Sequence, residues 1–390
     1  MSTNIDFTNT EVAFAYKTDA ELKNARFMFS LFKFPFFVKY GPKLATWSMG
    51  VGLPVKGLIK QFGFNHFCGG EFVDDCDQLA KKLHGYGVGS ILDYSVEGEE
   101  SQAQFDSNKE EIIDTIIKAS QNEAYPFAVF KTTAIALVAM LEKSDAGIAL
   151  GVEELNAYYR AKERFEKICE EAAARKVRLF IDAEESWIQN TIDAWTEEMM
   201  AKYNKQEVII FNTLQMYRID RLDYLRKQIE AAKKGGFQLG FKLVRGAYME
   251  KERERAIEQG YPSPIQATKE DSDRDYDEAL RICMQNSDIV AICAGTHNET
   301  SSALLAQLMV ENGMKNNDNR FWFAQLLGMS DHISFNLAKH GYNVAKYLPY
   351  GPVKAVLPYL SRRAQENSSV KGQVGRELTL IEKELKRRKK

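Results

Sequence analysis

With 390 residues, 45% of them hydrophobic and 27% charged, the chain can build one large core or two ordinary ones, which excludes wholesale disorder. Lys plus Arg total 52 against 54 Asp plus Glu, a formal net charge of -2, so nothing global calls for nucleic acid. Cys68, Cys76, Cys169, Cys283 and Cys293 match neither a zinc framework nor a disulfide scaffold, which points to a reducing compartment.

Residues 1–87 read as helical and irregular. Aromatics gather at Phe27, Phe29, Phe32, Phe34, Phe36 and Phe37, and again at Phe62, Phe64 and Phe67. They fit no single helical stripe, and Pro35 interrupts any helix there. The region is expected to be a helical cap on a larger domain, with a membrane-contacting surface as the alternative. The first residues lack the basic and apolar regions of a signal peptide. The apolar stretch from Phe27 to Gly57 is broken by Lys33, Lys39, Lys43 and Lys56, so no run reaches the ~18 apolar residues of a spanning helix. A cytoplasmic protein is expected, with peripheral contact at the inner face of the plasma membrane left open.

From residue 88 the pattern changes. Eight β-rich runs are predicted at Ser90–Tyr94, Phe127–Lys131, Val177–Asp182, Val208–Asn212, Phe237–Val244, Ile289–Ala294, Phe321–Leu326 and Tyr342–Leu348. Amphipathic stretches such as Glu110–Ser120, Asp220–Lys233 and Thr300–Glu311 connect them. Repeated strand–helix units predict an α/β fold with parallel strands, and eight units predict a (β/α)8 TIM-like barrel over 88–370. A doubly wound open sheet is the rival. The second connection is too long for one crossover helix, so a helical insertion is expected near 145–174. Residues 371–390 form a charged helix or tail whose basic end suits either anionic lipid or a frayed, solvated terminus.

Chemistry in such barrels gathers at the C-terminal ends of the strands. Polar residues recur there: Lys131, Asp182 with Glu184 and Glu185, Gln215, Lys242, Arg245, Tyr248, Thr296, His297, Asn298, Gln325 and Tyr347. Lys242 lies in a strongly apolar strand and must be paired or face a polar cavity. No HExxH, zinc-spaced cysteine pair, GxSxG elbow, P-loop or dinucleotide glycine turn is present, and no metal is expected. The acidic triplet leaves Mg²⁺ as an alternative to ion pairs with lysine or arginine. In YLSRRAQEN, helical spacing puts Tyr359, Arg362 and Glu366 on one side with Arg363 flanking, so two guanidiniums can grip one carboxylate. A salt-bridged surface helix is the plainer alternative.

Together IDAEE (181–185), LQMYRID (214–220), KLVRGAYMEKER (242–253), THNET (296–300), QLLGMSD (325–331), YLPYGPV (347–353) and YLSRRAQEN (359–367) resemble the proline dehydrogenases, in the family's order. The likeness leans toward stand-alone, mitochondrial-type enzymes. It implies a distorted barrel with N-terminal and inserted helices, non-covalent FAD, oxidation of L-proline to Δ1-pyrroline-5-carboxylate, reoxidation by a membrane quinone, and a product passed to a separate pyrroline-5-carboxylate dehydrogenase. By the same likeness, Arg362, Arg363 and Lys131 approach the substrate carboxylate. Asp182 stands at the active site, and Tyr248, Tyr347 and Tyr359 surround the ring. Gln215, Lys242, Arg245, Thr296, His297 and Asn298 hold the flavin. Glu97 pairs with Arg362, with Glu99 as the neighbouring choice of register. Asp182 is expected to order Lys131 or a tyrosine rather than act as a base. Other readings are a metal-dependent (β/α)8 aldolase or hydrolase and a peripheral membrane scaffold.

Overall fold

The computed structural model describes residues 5–32, 34, 56–94, 101–369 and 373–390. Eight parallel strands run as one closed barrel in chain order: β1 (Val88–Tyr94), β2 (Phe127–Lys131), β3 (Arg178–Asp182), β4 (Ile210–Gln215), β5 (Leu239–Val244), β6 (Val290–Gly295), β7 (Phe321–Leu326) and β8 (Val344–Tyr350). The expected barrel is therefore present, and the open sheet is not. β2 and β7 fall where the sequence predicts them. β4, β6 and β8 begin and end further along the chain than expected, because their last residues are polar, glycine or Pro349. By contacts the chain divides into two compact units, one made chiefly of Glu97–Phe323 and one of Asn4–Val96 with Ala324–Lys390.

In the first unit, register aligns Lys131 with Asp182, Phe211 with Gly240, and Thr213 with Lys242. Alternate residues of a strand share a face. One face of β2, β3 and β4 thus carries Phe127, Phe180 and Phe211, which pack into an aromatic layer. Phe127 stacks on Phe180 at 4.2 Å and meets Phe211 and Trp322 edge-on at 5.6 and 5.1 Å. Gly240 is required opposite Phe211, since a Cβ there would lie 2.6 Å from that ring. Two residues beyond Phe180, Phe211 and Gly240, and four beyond Phe127, the same faces present Asp182, Thr213, Lys242 and Lys131, so a charged layer sits directly on the aromatic one. The long second connection contains the helices Val138–Asp145 and Val152–Ala174, the latter burying Ala161, Phe165, Ile168 and Cys169.

In the second unit, the helix Asp19–Leu31 starts at a capping box in which Thr18 Oγ1 accepts from Glu21 N at 3.2 Å and Glu21 Oε2 accepts from Thr18 N at 2.6 Å. Its buried Leu22, Met28 and Phe29 join Phe64, Phe67, Leu378, Ile381 and Leu385 in one core cluster. Phe29, Phe64 and Phe67 are thus core residues, Phe32 packs against that cluster, and Phe27 and Phe34 are exposed. Phe36, Phe37 and the Phe62 side chain lie outside the described residues. The C-terminal helix Gln373–Arg387 is docked by Arg388, which donates to Lys17 O at 2.9 Å, Phe14 O at 2.8 Å and Asp19 Oδ1 at 2.8 Å. That arginine is therefore neither frayed nor available to lipid. Among the described residues no helix is long and apolar enough to cross a membrane.

The second unit also hides a polar knot that has no local sequence signal. Lys346 on β8 is fully buried and donates to Met329 O at 2.7 Å and to Asp331 Oδ1 at 2.8 Å. Asp331 Oδ2 takes Lys17 Nζ at 2.8 Å and the Tyr16 hydroxyl at 2.9 Å. Glu377 accepts from Ser330 N at 2.6 Å, and His66 Nε2 bonds Gly328 O at 2.9 Å. The turn after β7 is thus held by four separate segments of the chain.

Candidate active site

Asp182 ends β3 and is the centre of the first unit's polar layer. Its Oδ2 lies 3.1 Å from Lys131 Nζ, and its Oδ1 pairs with Lys242 Nζ. Lys242 is 5% exposed and also stands over the Phe180 ring at 5.3 Å, which joins the charged layer to the aromatic one. Burial by itself would raise the Asp182 carboxyl. The ammonium of Lys242, followed by that of Lys131, outweighs burial and holds the carboxyl below its ordinary value. Lys242 is paired, as its apolar strand requires.

The two glutamates that follow have separate partners. Glu184 accepts from Thr133 N at 3.0 Å and is hydrogen-bonded to the Thr133 hydroxyl. Glu185 pairs with Lys251. The acidic triplet therefore does not converge, and among the described residues no group of three His, Cys, Asp or Glu side chains is arranged to hold a metal ion. Glu252, wholly buried, caps the next helix, Ser186–Tyr203, by accepting from Ser186 N and Ser186 Oγ at 2.6 Å each. Arg255 and Lys251 flank the Trp187 ring at 4.3 and 5.4 Å. The charged helix Met249–Gln259, which begins next to Tyr248, is by this means clamped onto the exit of β3.

A second cluster surrounds Arg245, just past β5. Its Nε donates to Asp273 Oδ1 at 2.5 Å, its Nη1 to Thr296 Oγ1 at 2.7 Å and its Nη2 to Ser301 Oγ at 3.0 Å, with the guanidinium over Tyr276 at 4.4 Å. Asn298 Oδ1 caps the helix Glu299–Glu311 by accepting from Thr300 N at 2.8 Å and Ser301 N at 3.1 Å, and Asn298 N donates to Thr296 Oγ1 at 3.1 Å. His297 is half-buried between these two. Gly246 separates Arg245 from Tyr248 at φ +130°, where a Cβ would lie 2.4 Å from the Tyr217 ring.

Gln215 ends β4, and register places β4 between the strands of Asp182 and Lys242. Its Oε1 is buried and has no hydrogen-bond partner among the described residues. A buried acceptor without a donor costs about 1–3 kcal/mol, so this oxygen is open to a donor from a bound group or an ordered water.

In the second unit, Tyr347 is buried on β8, and the helix Val353–Ser369 follows directly. Tyr359 and Arg363 are buried one helical turn apart, with the Arg363 guanidinium 5.0 Å from the Tyr359 ring centre, and Arg362 is half-buried. Glu97, Glu99 and the Glu366 side chain lie outside the described residues. Thr133, Glu252 and Asp273 are the site's unforeseen members. Of these, Glu252 alone carried a signal, its place in the KLVRGAYMEKER motif.

The sequence model of the proline dehydrogenase family matches residues 76–376. The chain is 35% identical to the carbapenem antibiotics biosynthesis protein CarD of Pectobacterium carotovorum subsp. carotovorum, covering 83% of each chain. It is 31% identical to hydroxyproline dehydrogenase of Xenopus laevis, covering 96% of this chain and 88% of that one. Among solved structures it superposes on proline utilization A of Bdellovibrio bacteriovorus, inactivated by N-propargylglycine, with a TM-score of 0.71 at 18% identity. That match covers 90% of this chain and 38% of the other.

Proposed function

The chain belongs to the proline dehydrogenase family, and from that premise we propose that it oxidises L-proline to Δ1-pyrroline-5-carboxylate on bound FAD, as the first step of proline catabolism. The observation that carries the cofactor is the buried Gln215 Oε1, which has no hydrogen-bond partner among the described residues. An isoalloxazine ring offers an N–H donor that suits it. Gln215, Lys242, Arg245, Thr296, His297 and Asn298 are the residues that would hold FAD, and a flavin bound there supplies a two-electron, hydride-accepting centre.

The protein's part is positioning and charge. Arg362, Arg363 and Lys131 bind the substrate carboxylate, a handle remote from the ring carbon that loses hydride. Tyr248, Tyr347 and Tyr359 form the wall around the ring. Lys242 contributes positive charge that favours electron gain nearby. Asp182 fixes Lys131 and Lys242 and leaves the substrate amine to lose its proton to solvent. A carboxyl held below its ordinary value is badly matched to a secondary ammonium. A quinone accepts the electrons at a peripheral membrane contact, and a separate pyrroline-5-carboxylate dehydrogenase takes the product.

Anaerobic addition of L-proline to the purified protein tests this reading. The flavin absorbance is expected to bleach with L-proline and much less with 4-hydroxyproline, whose extra oxygen Tyr347 crowds. A preparation unable to take up FAD, or a flavin that stays oxidised in proline, overturns the oxidation. Equal bleaching by both amino acids overturns the specificity.

A further inference from the structure

The Lys131–Asp182 ion pair is one rung between the ends of β2 and β3, and a second, differently charged rung lies two residues beyond it. There the Glu184 carboxyl spans to Thr133, accepting from its backbone N–H at 3.0 Å and bonding its hydroxyl. Thr133 belongs to the tight turn Thr132–Ala134 that leaves Lys131. The turn is held from its far side by Asn108 Nδ2, which donates to Ala134 O at 2.8 Å. Glu184 is itself anchored, since its N–H donates to Gln189 Oε1 at 2.8 Å and Gln189 Nε2 donates to Asp193 Oδ1 at 2.8 Å. Arg221 neutralises Asp193 at 2.7 Å. The turn that carries Lys131 thus hangs from a carboxyl that is 3% exposed and whose hydrogen bonds go to neutral groups.

We propose that Glu184 is a positioning residue for the reaction, a buried side chain that ties the turn after β2 to the exit of β3 and thereby aims the Lys131 ammonium. The proposal rests on the functional reading above, in which Lys131 meets the substrate carboxylate. Among the described residues the charges facing Glu184 are few. Lys131 stands on β2, and Asp182, two residues back, is neutralised by Lys131 and Lys242. Glu185 on its own loop is paired with Lys251 from the helix Met249–Gln259. Asp193, behind Gln189, is paired with Arg221. Burial, with Glu185 adding to it, pushes the Glu184 carboxyl up to about 8 against the bonds from Thr133 and the pull of Lys131. Below that pH the rung is a neutral acid. Above it, a new carboxylate competes with Asp182 and with substrate for one ammonium.

The test is the ratio of KM for L-proline at about pH 9.5 to that at about pH 6.5, in the wild type, E184Q and E184A, with kcat recorded alongside. The substrate amine contributes equally to all three proteins. The wild-type ratio should exceed that of E184Q by roughly threefold or more, with the excess in KM rather than kcat and its midpoint near about pH 8. E184A should show raised KM at both pH values, and E184Q should restore the low-pH value, since glutamine remakes the bond to Thr133. Equal ratios in the wild type and E184Q overturn the proposal, as does E184A with wild-type KM. Wild-type protein that turns over no L-proline at either pH brings down the functional reading and this proposal with it, whereas turnover with equal ratios brings down only the proposal.

Discussion

Replacing Asp182 by asparagine separates two roles open to a carboxylate at this position. As an anchor it keeps two ammoniums in place; as a base it takes a proton from substrate. Asparagine preserves the shape and one acceptor oxygen but leaves Lys131 and Lys242 facing each other without an anion, in a site where the aspartate side chain is 14% exposed. Removing one partner of a buried ion pair costs about 3–5 kcal/mol. With an unfolding entropy of about 2.1 cal/mol/K per residue, the 390-residue chain changes by ~0.8 kcal/mol per kelvin, so D182N should melt ~4–6 °C lower. The displaced Lys131 should lower kcat/KM for L-proline by roughly tenfold to a hundredfold. The pH dependence should keep its shape, because the wild-type carboxyl is held below its ordinary value and is already ionised wherever the amine titrates. Thermal unfolding and flavin reduction across pH measure the two effects. D182N with wild-type melting and wild-type kcat/KM would refute the anchoring argument. D182N that loses the pH-dependent limb would instead make Asp182 the base.

Two further outcomes follow from the geometry. G246A combines a strained backbone at φ +130° with a Cβ 2.4 Å from the Tyr217 ring, and should cost roughly 2–4 kcal/mol and weaken FAD retention through Arg245 and Tyr248; a variant that melts and holds flavin like the wild type contradicts this. D331N strands the fully buried Lys346 and also Lys17, at a cost of about 3–5 kcal/mol near neutral pH. Burial would raise the Asp331 carboxyl, but Lys17 and then Lys346 hold it well below the usual range. Its stabilisation is therefore fully present above the unfolded value of about 3.9 and is lost progressively as pH falls from there through the depressed folded value, so the acid melts of wild type and D331N should begin to approach each other below about pH 4 and coincide only well under it.

How much of this was legible in the sequence depends on where each partner comes from. The barrel was legible because alternation of β-rich and amphipathic runs is a local signal, and Phe127–Lys131 and Phe321–Leu326 show it without distortion. β4 was expected at Val208–Asn212 yet runs from Ile210 to Gln215. Hydropathy marks the apolar part of a strand, whereas the polar residues at its C-terminal end turn inward to the site. Residue types at the site were legible by the same logic, since Lys131, Asp182, Gln215, Lys242 and Arg245 close strands or follow them directly. Their charge states were not. IDAEE presents three acids in four positions, and each has its own fate. Asp182 is ionised between two lysines, Glu184 is pushed toward neutrality against a threonine, and Glu185 pairs with a lysine from another helix. Those partners lie 51 to 66 residues away and are chosen by strand register and helix docking. Lys346 is the extreme case, since one partner of its counterion is Lys17 at the other end of the chain. A motif therefore specifies which groups reach the mouth of a barrel, and the register of the neighbouring strands decides which of them carry charge there.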